Sequence, residues 1–335
     1  MENIIKNMTL EEKVGQLFLA HCPDEGAEEL VERLHLGGLL LFARHFEKKN
    51  KETVLEFTKS CGKRAKTPLL FATDEEGGTV VRISKFPQYR AEPFKSPKDI
   101  FAEGGFDAVK AESEEKAELL LSMGINYDLA PVCDYTADEE KYIAKRSFGH
   151  TPKMCAEFIK TSVSAMVGRG LCTSLKHFPG YGGNSDTHYG MSTDVRGLSE
   201  FESADLLPFE AGIKAGAQSV MVSHNIVNCF DPEYPASLSR PIHEYLREKM
   251  GFDGVIITDS LTMNAIRQFT NGADPCVRAL LCGNDMIITS LFEEGYNCIL
   301  NAVRNGAVPE ERLDSAVRRI LEMKSAIGLD IRADL

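Results

Sequence analysis

Gly170-Leu171-Cys172-Thr173-Ser174-Leu175-Lys176-His177 is a short apolar run that ends abruptly in a lysine and a histidine. Its length and its lack of a helical period read as a buried strand. The same design recurs along the chain. Runs at Gln16–Ala20, Gly38–Phe42, Leu69–Thr73, Asn126–Ala130, Leu171–Leu175, Ser219–Ser223, Gly254–Thr258 and Asp285–Thr289 give eight predicted strands. Amphipathic stretches separate them: Ala27–Leu34, Lys51–Ala65, Glu112–Met123, Pro152–Gly168, Ser199–Lys214, Pro241–Lys249 and Asp274–Leu281, with a closing helical pattern over Pro309–Ile327. This alternation, carried through 335 residues, predicts an α/β protein, a (β/α)8 TIM-type barrel of one domain. The competing architecture is an open doubly wound sheet. Its dinucleotide-binding version would carry G-x-G-x-x-G after the first strand, and the chain has none there. A barrel builds its active site at the C-terminal ends of its strands. Asp74, Pro131 with Asp134, Lys176 with His177, His224 and Asp259 stand at those ends.

Composition narrows the partners. Hydrophobic residues at 43% and charged residues at 26% are ordinary for a water-soluble globular chain. A net charge of −12 argues against nucleic acid or an anionic membrane as partner, since both reward a basic surface. The start, Met1-Glu2-Asn3-Ile4-Ile5-Lys6, has no hydrophobic core followed by a cleavage site, and no apolar run is long enough to span a bilayer. A cytoplasmic location is expected. Nine cysteines, with no C-x-x-C pair, are read as reduced structural residues, several in apolar segments where a thiol acts as a small hydrophobe.

Chemistry concentrates after the fifth strand, in Lys176-His177-Phe178-Pro179-Gly180-Tyr181-Gly182-Gly183-Asn184-Ser185-Asp186-Thr187-His188. Its glycines free the backbone to bend. Asp186 is placed to orient and charge-stabilise the His188 imidazole, as a proton-transfer group requires. Asp259 ends the seventh strand and reads equally as a reactive carboxylate or as a helix N-cap when taken alone; the Asp186/His188 pair tips the balance toward reactivity. In Asp74-Glu75-Glu76, neighbouring side chains alternate, so at most two of the three carboxylates share a target. Asp74 is read as a substrate-hydroxyl contact, whereas Glu75 and Glu76 default to solvent exposure or a salt bridge. Arg146 follows a polar stretch and could reach into the barrel mouth, although a lone arginine reads by default as a surface charge. His224 is either a satisfied core histidine or a pocket liner, and His21, His35, His45, His150 and His243 are structural or exposed. The glycine spacing is not that of a phosphate loop, and no H-x-H or H-E-x-x-H pattern suggests zinc.

These residues resemble glycoside hydrolase family 3, in its single-domain β-N-acetylhexosaminidase branch. The family signature K-H-[FI]-P-G-x-G-x(4)-D-[ST]-H is followed closely by Lys176 to His188. Met8-Thr9-Leu10-Glu11-Glu12-Lys13-Val14-Gly15-Gln16, Gly37-Gly38-Leu39-Leu40-Leu41-Phe42-Ala43-Arg44, Leu129-Ala130-Pro131-Val132 and Gly251-Phe252-Asp253-Gly254-Val255-Ile256-Ile257-Thr258-Asp259 are similar to other family segments. The resemblance implies a retaining glycosidase spanning residues 1–335, with no second domain and no metal or organic cofactor. By the same resemblance Asp259 is the nucleophile, His188 with Asp186 the acid/base dyad, and Asp74, Arg82, Arg146, Lys176 and His177 bind a terminal β-linked N-acetylglucosamine. The substrate is a small carbohydrate, with recycled cell-wall (peptidoglycan) fragments favoured over chitin-derived oligosaccharides, and no obligate protein partner is implied. One departure stands out: three residues, Gly183, Asn184 and Ser185, separate Gly182 from Asp186 where the signature has four, and Tyr181 stands where His or Leu is usual.

Alternatives remain at this level. Family β-glucosidases share the barrel but commonly take their acid/base from a following domain. Phosphorolysis in place of hydrolysis is compatible with the same residues. A catalytically silent sugar-binding barrel is disfavoured by Asp259, Asp186 and His188 occurring as a set, and a metal-dependent hydrolase is the third class.

Overall fold

The computed structural model of the protein describes residues 1–331 apart from Ser185 and His188. Eight parallel strands form the central sheet: β1 (Phe18–His21), β2 (Gly38–Leu40), β3 (Leu70–Thr73), β4 (Tyr127–Asp128), β5 (Cys172–Phe178), β6 (Ser219–Val222), β7 (Val255–Thr258) and β8 (Ile287–Thr289). Each pairs with its neighbours in chain order, and β8 returns to β1 through the register Phe18↔Ile287 and Leu19↔Ile288. Between β7 and β8 the ring is completed by Asp285 N and Met286 N donating to Ile256 O at 2.7 and 3.1 Å and by Thr258 N donating to Met286 O at 3.1 Å. The expected (β/α)8 barrel is therefore observed, and all eight expected strand segments contribute to it.

Side-chain direction follows the pleat. The Tyr127 hydroxyl reaches Ser219 Oγ at 2.5 Å, from β4 to β6 past the intervening β5, so both point into the barrel. Alternate residues Val220 and Val222 join Phe209, Leu206 and Ile159 in the outer hydrophobic layer. Helix 206–214 lies so close to β5 that a Cβ on Gly212 would meet Leu175 at 2.5 Å, which is why glycine stands there. Leu175 thus faces outward and its neighbour Lys176 inward. Below the β7/β8 seam, the buried Asp285 carboxylate accepts from Ile256 N at 3.0 Å and pairs with Arg247, Arg312 and Arg319.

Local signals explain several helix starts. Asn50, Ser96 and Thr151 each cap a helix by accepting from a backbone N–H, and Pro97 and Pro152 occupy the first turn that follows. Thr9 and Glu12 form a capping box that starts helix Leu10–Gln16. That box places Gln16 in a helix, so the first strand begins at Phe18 rather than at Gln16. Helix Pro97–Leu121 is about twice the expected length because it joins two helical pieces across a break at Gly104 and Gly105. Helix Phe292–Arg304 and a side sheet of Thr193–Asp194, Ile226–Val227 and Asp231–Pro235 were not anticipated; two-residue strands are too short to show alternation. All nine cysteines are free thiols and seven are buried. Among the described residues no helix is long and apolar enough to cross a membrane.

Candidate active site

A cavity of about 430 Å³ opens at the C-terminal ends of the strands. Six of the eight residues singled out in the sequence line it: Asp74, Arg82, Arg146, Lys176, His177 and Asp259. They come from four different strand ends, so only barrel closure brings them together. Asp186 is described but is not among the lining residues; its charge is felt by the Tyr142 hydroxyl on the cavity wall, whose pKa rises chiefly through burial. His188, the expected acid/base, lies outside the described residues.

The wall opposite Asp259 is a charge network. Lys176 Nζ donates to Asp74 Oδ1 at 2.8 Å and to Glu76 Oε1 at 2.7 Å. Arg146 grips Glu76 in bidentate fashion, Nε to Oε2 at 2.9 Å and a terminal nitrogen to Oε1 at 2.7 Å. Arg82 approaches Asp74 only to 3.8 Å, and its buried Nε has no partner among the described residues. Burial alone would raise the Glu76 pKa; the Arg146 and Lys176 cations overcome it and hold the carboxyl well below its ordinary range. The same pairing drives Lys176 upward against its own desolvation. Together these side chains form a set of fixed donors and acceptors suited to sugar hydroxyls.

The imidazole of His177 is oriented from behind. Asp134 Oδ2 accepts from its Nδ1 at 2.6 Å and from its backbone N at 3.1 Å, while Oδ1 accepts from Tyr181 N at 2.8 Å. With Nδ1 carrying the proton, Nε2 presents a lone pair to the cavity, where an Arg146 nitrogen donates to it at 3.2 Å. Lys176 and His177 lie inside β5, which runs on to Phe178, and the register with β6 shifts between Lys176 and Phe178.

On the opposite wall Asp259 follows β7. Its Oδ1 accepts from Ser260 N at 2.7 Å, and its own N donates to Val222 O at 3.0 Å. The next helix begins only at Asn264, with Met263 as its cap residue, so the helix-cap reading of Asp259 is not what the fold uses. His21, read as structural or exposed, instead lines the cavity with its Nε2 at 3.4 Å from Ser260 Oγ. Burial, with the Arg44 charge, lowers its pKa to about 4, so it is a neutral ring at physiological pH. His21 closes β1 and so stands at a strand end as Asp74 and Asp259 do.

Glu75 and Glu76 are both buried: Glu76 takes the salt-bridge half of its default reading, whereas Glu75 departs from it. Glu76 is the hub of the network. Glu75 turns the other way, as alternation demands, and accepts from Arg82 N at 2.7 Å, Ile83 N at 2.8 Å, Ser84 N at 3.0 Å and the Ser84 hydroxyl. Behind them the buried Asp128 Oδ1 accepts from Glu75 N at 2.9 Å, and burial pushes its pKa up to about 7. Arg146 is largely buried, not a surface charge. His224 is a core residue held between Ser237 Oγ at 2.8 Å and Ser260 O at 2.9 Å. Tyr142 and Tyr181, neither of which had been given a role, also line the cavity.

The family model described as "Glycosyl hydrolase family 3 N terminal domain" matches residues 9–323. The chain belongs to glycosyl hydrolase family 3. Among curated family members, a "Beta-hexosaminidase" of Xylella fastidiosa (strain M23) is 33% identical over 273 residues, 80% of each chain. One from Xanthomonas oryzae pv. oryzae (strain MAFF 311018) is 31% identical over 303 residues, covering 88% of this chain and 86% of that one. Among solved structures, a glycoside hydrolase family 3 β-N-acetylglucosaminidase from Paenibacillus sp. str. FPU-7 superposes with a TM-score of 0.88 at 29% identity over 98% of this chain. The family 3 barrel described here spans 64% of the length of that Paenibacillus chain. A β-N-acetylhexosaminidase from Beutenbergia cavernae gives a TM-score of 0.83 at 26% identity, with 95% of this chain and 99% of that chain covered.

Proposed function

We propose that the protein is a retaining exo-β-N-acetylglucosaminidase. The observation that carries the reading is one cavity in which a hydroxyl-binding charge network faces a separate carboxylate, Asp259. Curated relatives named Beta-hexosaminidase support the choice of sugar. In this reading Asp74, Arg82, Arg146, Lys176 and His177 hold the terminal N-acetylglucosamine. A carboxylate oxygen of Asp259 bonds to C1 as the C1–O bond to the leaving sugar breaks, and His188 passes its proton to the departing oxygen. Water then attacks C1, gives its proton to His188 and releases Asp259. A histidine can serve because its pKa lies near neutrality and Asp186 stabilises the charged form. With the dyad on the barrel's own loop, the reading calls on no second domain. Small soluble glycans, cell-wall fragments in the cytoplasm above all, are the proposed natural substrates.

The test compares aryl β-N-acetylglucosaminide with aryl β-glucoside for the wild type, Asp259→Ala and His188→Ala. Preference for the N-acetylated substrate and loss of turnover in Asp259→Ala are expected. A preference for the glucoside, or full activity in Asp259→Ala, would overturn the proposal. Assays with and without phosphate separate hydrolysis from phosphorolysis, and activity that survives a chelator dismisses a metal-dependent route.

A further inference from the structure

The loop that carries the dyad is one residue shorter than the family signature, and the tyrosine at its root is the residue that departs from the usual type. In the fold these two departures meet. Tyr181 is almost completely buried, lines the cavity, and places its hydroxyl in hydrogen-bond contact with the hydroxyl of Thr187. Thr187, itself fully buried, stands in the chain between Asp186 and His188.

Both ends of this link are anchored. At its root, Tyr181 N donates to Asp134 Oδ1 at 2.8 Å, and the Tyr181 ring stands edge-on to His177 at 5.3 Å between centroids. Asp134 is the same carboxylate that orients His177, so the sugar-binding imidazole and the tyrosine share one support. At the far end, Ala265 N, six residues beyond Asp259, donates to Thr187 O at 3.4 Å. The Asp259 charge acts on the Tyr181 hydroxyl, and the Asp134 charge does too. The tyrosine therefore lies between the sugar-holding wall, the Asp259 wall and the dyad loop.

We infer that Tyr181 is a positioning residue: its hydroxyl, through Thr187, fixes the stretch of chain from which the acid/base dyad is presented and takes the place of the backbone length that the loop lacks. The inference rests on the acid/base role proposed above. A hydroxyl pair can do this because a short tether between a buried ring and a buried threonine fixes two side chains with few rotatable bonds, and misplacement of an acid group costs rate rather than binding. Phenylalanine or leucine at 181 would fill the same space without the tether.

The test uses Tyr181→Phe, Thr187→Val and their combination on two β-N-acetylglucosaminides, one with a dinitrophenyl leaving group and one with a methoxyphenyl leaving group. Only the second needs strong protonation to depart. The expected result is a fall of about tenfold in kcat/KM on the methoxyphenyl glycoside, the order of one lost hydrogen bond, with little change on the dinitrophenyl glycoside. The double variant should lose no more than either single one, and Thr187→Ser, which restores a hydroxyl, should recover the activity. An equal loss on both glycosides, a change confined to KM, or unaltered Tyr181→Phe kinetics would overturn the inference. A wild type inactive on both glycosides would overturn the hexosaminidase reading itself, so the two failures are distinct.

Discussion

Glu76 accepts from Arg146 and Lys176 at once while its side chain is only 3% exposed. Asp74 shares Lys176 but is 17% exposed and faces Arg82 across a longer gap. Removing one partner of a buried ion pair strands the other, a cost of about 3–5 kcal/mol, whereas a better hydrated carboxylate is less consequential. Glu76→Gln is thus expected to lower the melting temperature clearly and to raise KM by at least about tenfold, because two cations lose their shared anchor. Asp74→Asn should raise KM with a smaller change in melting temperature. Thermal denaturation and Michaelis kinetics on the two variants check the order. Asp74, Lys176, His177 and Asp259 were legible in the sequence because a barrel must put strand-end residues together, whereas Arg82 and Arg146 were assigned to the site only by the family resemblance. Glu76 was legible only in part: alternation said that two of three carboxylates could share a target but not which partners lay opposite. Those partners, Arg146 and Lys176, come from distant segments, and nothing local announces them. Asp134 stood at a predicted strand end and Tyr181 stood out in the loop, but neither carried a role in the sequence, since those roles exist only through contacts with His177 and Thr187.

Two elements owe their shape to charged side chains packed beneath them. The turn at residues 82–84 directs three backbone N–H groups at the Glu75 carboxylate, and that turn delivers Arg82 to the cavity. Glu75→Ala would leave these donors unpaired at about 1–3 kcal/mol apiece if they stay buried, so the turn is expected to open. The KM increase of Arg82→Ala should then be reproduced by Glu75→Ala, and the double variant should be no worse than either single one; additive effects would separate the two residues. The loop after β5 is packed the same way from below. Gly182 has φ +53°, and a Cβ there would lie 2.2 Å from the Arg196 guanidinium. That guanidinium cannot yield readily, being held by Asp194 and the buried Asp205 at 2.8 Å each. Gly182→Ala should therefore cost activity and stability, whereas at Gly183, where the nearest atom to a Cβ is 3.4 Å away on Lys141, alanine should be tolerated. Comparing melting temperature and kcat/KM of the two variants decides it. Elements of this kind were partly legible. Long apolar runs announced every barrel strand, yet the two-residue strands of the side sheet carry no period, and the glycine-broken helix over 97–121 hid its first half.

At the scale of the whole molecule, the barrel is wrapped by the terminal helix Glu310–Ala326, which buries Lys324 completely. Its Nζ donates to the Gln16 amide oxygen at 2.6 Å, a neutral partner that does not offset the charge. Burial accordingly lowers its pKa from 10.5 to about 7. Between those two values the unfolded chain holds a proton on Lys324 that the folded protein has partly released, so unfolding takes up a proton and stability rises with pH. Below about pH 7 the folded state carries the full burden of a buried ammonium; above about 10.5 the burden is gone. Lys324→Met keeps the length and packing of the side chain and removes the titration. The variant is expected to be more stable than the wild type at pH 6, with the gap closing steadily toward pH 10, while activity at the far end of the barrel is unchanged. Denaturant titrations of both proteins at several pH values measure the gap directly. A constant gap across that range would mean that Lys324 is accommodated as a charged group and that its burial does not shape the pH dependence of the fold.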